Sequence, residues 1–173
     1  YKRQSLDGEW NYAIVADFSK TDIRCEWPES QYYPTALYNA MINPHRTMPV
    51  AGVFWYQGCA NVGRAGQYEI CFKNMINGWR KAFGNPSMPF YFVQLAGFMQ
   101  PVVVQPESEW ALLRNAQSKA LELPHTDMAT AIDLGNPIDI HPTNKAEVAR
   151  RLTMLALDKT YGMKQKCNTP RCI

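Results

Sequence analysis

Short apolar runs alternate with longer amphipathic stretches between residues 51 and 161, and this order constrains the fold more than any other feature of the sequence. Three runs, Ala51 to Gln57, Phe90 to Leu95 and Met128 to Leu134, are rich in residues that favour β-strands. Because the first run is continuously apolar, it is typical of a strand that is buried on both faces. We therefore predict three short strands.

A helical pattern follows each of these runs. In residues 65–83 the apolar side chains recur at steps of three and four, and Gly84 ends the pattern. Ser108 is a favourable N-cap for a helix that reaches Glu122, and Thr143 is the predicted N-cap of a helix that ends near Tyr161. The side chains predicted to face the core are Tyr68, Phe72, Met75, Ile76, Trp79 and Phe83 in the first helix, Trp110, Leu113, Gln117 and Ala120 in the second, and Val148, Leu152 and Leu155 in the third.

Strands that alternate with helices indicate an α/β fold, with a parallel sheet and helices on its faces. A doubly wound sheet usually has about five or more strands, whereas three are evident in this sequence. The sequence therefore predicts the latter part of one α/β domain over residues 1–173, with an incomplete sheet. Residues 1–33 are interpreted as an irregular lead-in, Thr35 to Ile42 as a short helix closed by Pro44, and residues 163–173 as a polar tail.

Composition excludes several classes of function. The formal net charge is +3 and no block of Lys or Arg stands out, so we expect neither a nucleic acid nor a membrane surface as partner. No run of roughly 18 apolar residues is present. The five cysteines lack the paired C-x-x-C spacing of a zinc site, so we expect no metal. Cys167 and Cys172 could form a disulfide in the tail or stay free thiols.

Polar side chains follow the first and the third predicted strands, where ligands bind in open parallel sheets. Asp139 lies two residues before His141 and can orient its imidazole, which leaves the second ring nitrogen to act as a base. Asn61 can donate its side-chain N–H to a developing oxyanion. The alternative is that all three are ordinary loop residues.

Three further residues lie at or near strand ends. Gln57 and Gln94 can bind sugar hydroxyls, or each can form a buried hydrogen bond within the protein. Cys59 stands at a strand-to-turn junction and is a candidate nucleophile, because a histidine is available to activate it. Its surroundings do not match the G-x-S-x-G motif, and we favour an inert, packed thiol.

The segment from Gly52 to Asn61, GVFWYQGCAN, resembles the W-Y-Q-G-E-[SA]-N signature of the sialate O-acetylesterase family, which belongs to the SGNH hydrolases. The resemblance extends, in the family's order, from about residue 8 to residue 162. Its other parts are PTALYNAMI at 34–42, WRKAFG at 79–84, FVQL at 92–95 and DIHPTNK at 139–145. Several separated motifs in one order are far more specific than any single motif.

The resemblance implies a three-layer α/β/α, flavodoxin-like fold and a carbohydrate O-acetylesterase that removes acetyl groups from sugar hydroxyls without a cofactor. It makes His141 the general base and Asn61 an oxyanion donor. It makes Asp139 the acid that orients the imidazole. In many relatives this Asp stands three residues before the His, whereas here it stands two residues before it, and a backbone carbonyl is the alternative partner. The expected contacts with the sugar are Trp55, Gln57, Gly58 and Gln94.

The family's serine nucleophile lies in a G-Q-S-N segment near the start of the catalytic domain, and these 173 residues contain no such segment. The resemblance therefore implies a separate N-terminal half or a longer gene product that supplies the serine, with an O-acetylated sugar as substrate. Cys59 stands where the family usually has Glu, which removes a carboxylate beside the site. The alternatives are a catalytically inactive, carbohydrate-binding remnant and a purely structural fragment. Bacterial relatives favour a secreted or periplasmic location.

Overall fold

The computed structural model describes residue 33, residues 35–104 and residues 106–164. The chain divides into two units, residues 1–45 and 46–173. In the second unit, three strands form one parallel sheet in the order β1 (Val53–Trp55), β2 (Phe90–Val93) and β3 (Thr126–Ala129). The predicted α/β fold with a parallel sheet is therefore confirmed.

Three α-helices accompany the sheet: α1 (Ala65–Ala82), α2 (Glu109–Ser118) and α3 (Lys145–Lys159). α1 and α2 pack together against one face, where they cover Phe90 and Phe92 of β2. α3 packs on the opposite face, where Leu152 joins a cluster with Tyr91 and Val93. Successive side chains of a strand point to opposite faces, so β2 supplies both clusters and is buried along its whole length.

The helix predictions are confirmed, with small shifts at the ends. The side chain of Ser108 caps α2 by accepting the N–H of Ala111 at 3.3 Å, and a 3-10 turn at Lys119–Glu122 continues the helix. The cap of α3 is Asn144 rather than Thr143, because the side chain of Asn144 accepts the N–H of Glu147 at 3.1 Å.

The third strand lies earlier in the chain than predicted. The expected strand from Met128 to Leu134 is wrong in its bounds, because β3 is Thr126–Ala129 and Ile132–Leu134 is a 3-10 turn. Pairing with all four residues of β2 sets the limits of β3. Beyond the strand, the carbonyl of Thr130 accepts a hydrogen bond from Arg151 at 2.6 Å. Apolar composition does not reveal this register.

The first strand is not buried on both faces as predicted. Phe54 in the middle of β1 is 53% exposed, whereas Val53 and Trp55 are half-buried. Among the described residues, β1 pairs with β2 alone, so its other edge is open. A groove of about 380 Å³ lies between Phe54 and the C-terminal half of α3. The apolar run therefore forms a strand, but its burial depends on neighbours that the pattern does not show.

The first unit contributes a short helical segment. The helix predicted from Thr35 to Ile42 is present as a π-helical turn at Tyr38–Ile42, and a 3-10 turn at Asn43–His45 continues it past Pro44. Pro44 does not end the segment, because a proline this early in a turn removes no N–H that the turn needs. The rest of the lead-in and the pair Cys167 and Cys172 lie outside the described residues.

No helix within the described ranges is long and apolar enough to cross a lipid bilayer.

Candidate active site

The candidate site lies where the chain leaves the carboxyl ends of the three strands. A cavity of about 250 Å³ opens there. Gln57 and Gly58 line it from the segment after β1, Leu95 lines it from the segment after β2, and Ile140 and His141 line it from the segment after β3. The fold thus brings the predicted base and two of the predicted sugar contacts to one cavity, at the edge of the sheet where ligands bind in this architecture.

A tight turn at Gly58 shapes the wall of this cavity. Gly58 has a φ of 153°, and a Cβ there would lie 3.1 Å from Nε2 of Gln117 and 3.3 Å from Cδ2 of Leu95. A larger residue would be strained at this φ, and its Cβ would make close contacts with both side chains. The 3-10 turn Cys59–Asn61 follows directly, so Gly58 allows the chain to turn back over the ends of β1 and β2.

Gln117 of α2 is buried, with 0% exposure, and it links the ends of β1 and β2. Its Oε1 accepts the N–H of Leu95 at 2.9 Å, and its Nε2 donates to the carbonyls of Gln57 at 3.2 Å and Val93 at 3.3 Å. A buried amide with all these bonds fixes the wall of the cavity. The sequence analysis predicted that Gln117 faces the core but did not predict this role. The feature that indicates it is a single polar residue in the apolar face of a helix.

Asn61 is oriented by its neighbour Gln57. The Nε2 of Gln57 donates to the Oδ1 of Asn61 at 2.7 Å. A carboxamide carries one acceptor oxygen and an NH₂ donor group, so this bond occupies the acceptor of Asn61 and leaves its donor available. An amide with an available N–H can stabilise an oxyanion. Asn61 is not among the residues that line the cavity of His141, and Gln57 connects it to that wall.

Asp139 and His141 are brought together by a turn of the main chain. The backbone N–H of His141 donates to Oδ1 of Asp139 at 2.8 Å, and both side chains are exposed. The hydrogen bond that the structure records for this carboxylate is therefore to the main chain of His141 and leaves Oδ2 available. The partner that orients the imidazole stays a prediction.

Cys59 and Lys145 line the same cavity. Burial raises the pKa of the Cys59 thiol, and a backbone hydrogen bond and the charge of Lys145 offset this only in part. Because a protonated thiol is a weak nucleophile, this environment favours the inert alternative for Cys59. Lys145 Nζ also lies 4.8 Å from the ring centre of Tyr56, within the range of a cation–π contact. The sequence assigned no role to Lys145, which projects into this region because it begins α3.

Two of the predicted sugar contacts lie outside this cavity. Trp55 packs among aromatic rings of the core and stacks on Phe72, with ring centres 6.2 Å apart. The Nε2 of Gln94 donates to Oγ of Ser118 in α2 at 3.0 Å, which corresponds to the alternative of a hydrogen bond within the protein. Neither side chain lines the cavity beside His141. Both side chains make their contacts within the protein.

An ion-pair network holds the loop after β3 to α3. Arg151 donates to the two carboxylate oxygens of Asp133 at 2.7 and 2.6 Å. Glu147 accepts bonds from Arg150 at 2.7 Å and from Arg151 at 2.9 Å. Since this loop leads to His141, the network anchors one side of the site. Arg150 first, and then Arg151, lower the pKa of the Glu147 carboxyl to about 2.

The depressed pKa of Glu147 predicts how the stability of this region depends on pH. Its carboxyl has an ordinary pKa of 4.5, so the ion pairs stabilise the folded state fully above about pH 4.5, and this contribution is lost as the pH falls towards 2. We expect Glu147→Gln to lower the free energy of unfolding at pH 7, with a difference from the wild type that shrinks between pH 4.5 and 2. Urea unfolding at several pH values measures this difference.

Glu109→Gln is the matched control for this experiment, because Glu109 is exposed and its carboxylate forms none of the described ion pairs. A pH-independent difference for Glu147→Gln, or one equal to that of the control, would contradict the role of the network.

The chemistry available at the cavity is proton transfer and oxyanion stabilisation. It combines the imidazole of His141, the ammonium group of Lys145 and the amide of Gln57, which is bonded to Asn61. In the part of the chain that the structure describes, no group of three or more His, Cys, Asp and Glu side chains could hold a metal ion. These groups are the ones that accompany a nucleophile in ester hydrolysis.

Comparison with known proteins identifies the family. A family model described as SASA, the carbohydrate esterases that are sialic acid-specific acetylesterases, matches residues 14–157. The sialate O-acetylesterase of Mus musculus is 36% identical over 146 residues, which cover 75% of this chain and 27% of that protein. For the sialate O-acetylesterase of Homo sapiens the identity is 33% over 146 residues, covering 75% of this chain and 28% of that protein. The chain thus spans little more than a quarter of the length of these relatives.

A solved structure agrees with these matches. The crystal structure of a carbohydrate acetylesterase from Xanthomonas citri superposes with a TM-score of 0.73 and 46% sequence identity, covering 80% of this chain and 32% of that one. The region that the family model matches includes the turn after β1 and the loop that carries Asp139 and His141. The chain belongs to the family of carbohydrate esterases known as sialic acid-specific acetylesterases.

Proposed function

We propose that this chain forms the base-bearing part of a carbohydrate O-acetylesterase, an enzyme that removes acetyl groups from sugar hydroxyls. The observation that carries this proposal is the convergence of His141 and the turn residues Gln57 to Ala60 on one cavity at the carboxyl end of the sheet. The side chain of Asn61 is bonded to Gln57 next to them. The nucleophilic serine lies on a segment outside the 173 residues.

In the first half of the reaction, the serine hydroxyl attacks the carbonyl carbon of the acetyl group, and a ring nitrogen of His141 takes the proton of that hydroxyl. The carbonyl oxygen becomes an oxyanion, and the free N–H of Asn61 donates to it. The intermediate then collapses. The bond to the sugar oxygen breaks, the sugar leaves as an alcohol with the proton from His141, and the acetyl group stays on the serine.

In the second half, His141 removes a proton from a water molecule that attacks the acetyl-serine. The same N–H of Asn61 stabilises the second oxyanion, and its collapse releases acetate while the serine regains its proton. Gln57 and Gly58 line the cavity and are the sugar contacts that we retain from the sequence. Asp139, or a backbone carbonyl in its place, orients the imidazole.

An N-terminal half that supplies the serine would have a place to pair with this chain. The outer edge of β1 has no partner among the described residues, and the exposed Phe54 lies beside the apolar groove against α3. An unpaired edge presents N–H and C=O groups to another strand, and an N-terminal half that supplies a parallel strand there would carry its serine to the same end of the sheet. This arrangement supports a separate half or a longer gene product as the partner.

The function is tested by acetate release from O-acetylated sialate and from p-nitrophenyl acetate, with the gene product that contains this chain and its N-terminal half. We expect acetate from both substrates. Binding of the sugar without release of acetate would instead favour the catalytically inactive remnant.

The role of Asp139 is tested by Asp139→Asn. An asparagine retains the oxygen that accepts the N–H of His141, so the turn is preserved while the charge that stabilises an imidazolium is lost. We expect kcat for acetate release to fall by roughly a hundredfold or more, with a melting temperature close to that of the wild type. An unchanged kcat would assign the orienting role to a backbone carbonyl.

A further inference from the structure

A second cavity lies beside the candidate site, and its chemistry points to a particular kind of ligand. Its volume is about 570 Å³, which is in the usual range of roughly 300–1,000 Å³ for pockets that bind small molecules. Gly97 and Phe98 line it from the segment after β2, and Ile132 and Pro137 line it from the loop after β3. It therefore opens at the same edge of the sheet as the cavity of His141.

The walls of the two cavities are joined by short stretches of chain. Leu95 lines the cavity of His141 and Gly97 lines the second cavity, and two residues span at most about 7 Å of extended chain. In the loop after β3, Ile140 lines the cavity of His141 and Pro137 lines the second cavity. Because the two walls are this near, a monosaccharide that carries a side chain can extend from one cavity towards the other.

The wall of the second cavity includes two aromatic rings. Phe98 and Trp110 pack with ring centres 5.3 Å apart, and Nε1 of Trp110 donates to the carbonyl of Ala96 at 2.8 Å. This bond fixes the indole, which is only 6% exposed, so Trp110 is a rigid support for the apolar ring of Phe98. Such rings suit the apolar face of a sugar ring, provided that a few polar groups complete the site.

Arg114 of α2 supplies the positive charge of this cavity. Its guanidinium is half-buried, and no described carboxylate or carbonyl accepts a hydrogen bond from it. Burial alone lowers its pKa. The hydrogen bonds at this residue involve its main chain instead, because Gln94 and Ser118 donate to its carbonyl at 3.3 and 3.0 Å. A half-buried arginine whose guanidinium has no partner among the described residues is costly, and its fork of donors matches a carboxylate.

The two acidic residues that line this cavity do not pair with the guanidinium of Arg114. Glu107 and Glu109 are both exposed, and neither forms an ion pair with the guanidinium. They lie near the N-terminal end of α2, where the helix dipole favours negative charge.

We propose that Arg114 binds the carboxylate of an acidic sugar, while the acetyl group of the same sugar reaches His141 in the neighbouring cavity. This inference rests on the proposed esterase function and adds to it the residue that selects acidic substrates. Arg114 is thus a binding residue and takes no part in the proton transfers.

The experiment compares two substrates with the gene product that contains this chain and its N-terminal half. One is O-acetylated N-acetylneuraminate and the other is its methyl ester, in which the carboxylate charge is absent. We expect Arg114→Gln to raise KM for the acid by about 10- to 100-fold, as the loss of a charged hydrogen-bonded pair predicts. The kinetics for the methyl ester should stay within about twofold of the wild type. Arg114→Lys should recover part of the loss for the acid, since an ammonium keeps the charge but not the fork.

Lys119→Gln is the matched control, because it removes one positive charge from an exposed position shortly after α2. It should leave the kinetics for both substrates unchanged. An equal loss for the acid and the ester in Arg114→Gln would reveal a merely structural role, and an unchanged KM for the acid would overturn the proposal.

A binding measurement separates this proposal from the proposed function. Calorimetric titration of free N-acetylneuraminate requires no catalysis, and the wild type should bind it more tightly than Arg114→Gln. If acetate is never released but this difference in affinity is present, the esterase function fails and the carboxylate site stands. If acetate is released but the affinities are equal, the carboxylate site fails and the esterase stands.

Discussion

Replacing His141 by Asn is expected to lower kcat/KM for acetate release by at least about a thousandfold in the complete esterase. The reason is that His141 is the imidazole that lines the cavity beside Gln57 and Gly58, so no other described side chain there can accept the proton of the serine. Asn61 and the turn at Gly58 stay in place, and the remaining rate reflects their contribution. Initial rates of acetate release measure the loss.

His125→Asn is the matched control, because it makes the same change at an exposed histidine outside the site. His125 precedes β3 at the opposite end of the sheet and has a φ of 53°, which asparagine tolerates. Its rate should equal that of the wild type. Similar losses in the two variants would contradict the assignment of His141 as the base.

Replacing Arg80 by Met is expected to lower the free energy of unfolding by about 3 kcal/mol. Arg80 of α1 is only 3% exposed. Its guanidinium donates to the carbonyls of Met88 at 3.0 Å, Pro124 at 2.7 Å and His125 at 3.1 Å, and to the hydroxyl of Thr126 at 3.0 Å. These acceptors lie at the amino ends of β2 and β3, so the side chain of Arg80 links the amino ends of both strands to α1. A methionine fills similar space but leaves the carbonyl of Met88 without its described donor.

Urea unfolding of Arg80→Met and of Lys81→Met measures this effect. Lys81 is the adjacent residue and is exposed, so the same substitution there should change the free energy of unfolding by less than about 0.5 kcal/mol. A small loss for Arg80→Met would mean that water replaces the guanidinium at these carbonyls. In that case the two strands are positioned by their own pairing.

The order of strands and helices was predictable from the sequence because periodicity records which side chains are buried. The apolar faces of α1, α2 and α3 were identified in this way, and residues such as Ile76, Leu113 and Leu152 are buried as expected. The register of β3 was not predictable, since it depends on pairing with β2 and on the bond from Arg151 to Thr130. The exposure of Phe54 was not predicted, because the sequence of a strand does not show whether a neighbouring strand or helix covers it.

The candidate site was partly predictable. The rule that strands of a parallel sheet end at one edge predicted that His141 and Asn61 lie close together. His141 shares its cavity with Gln57 and Gly58, whereas Asn61 is not among the residues that line it. The contributions of Gln117 and Lys145 were missed because each depends on the direction of a long side chain. Gln94 was predicted either to bind a sugar or to form a hydrogen bond within the protein, and its bond to Ser118 corresponds to the second alternative. The sequence contained no information about that bond.

In the proposed enzyme, this chain supplies the base to a serine that lies outside its 173 residues. Labelling of the complete gene product with a fluorophosphonate, followed by mass mapping of the modified peptide, is the sharpest test of this pairing, because the reagent reacts with the activated serine of an esterase. We predict one adduct, on a serine outside residues 1–173, and much slower labelling in His141→Asn. An adduct on a residue within these 173, or labelling at the same rate in His141→Asn, would contradict the proposed division of the active site.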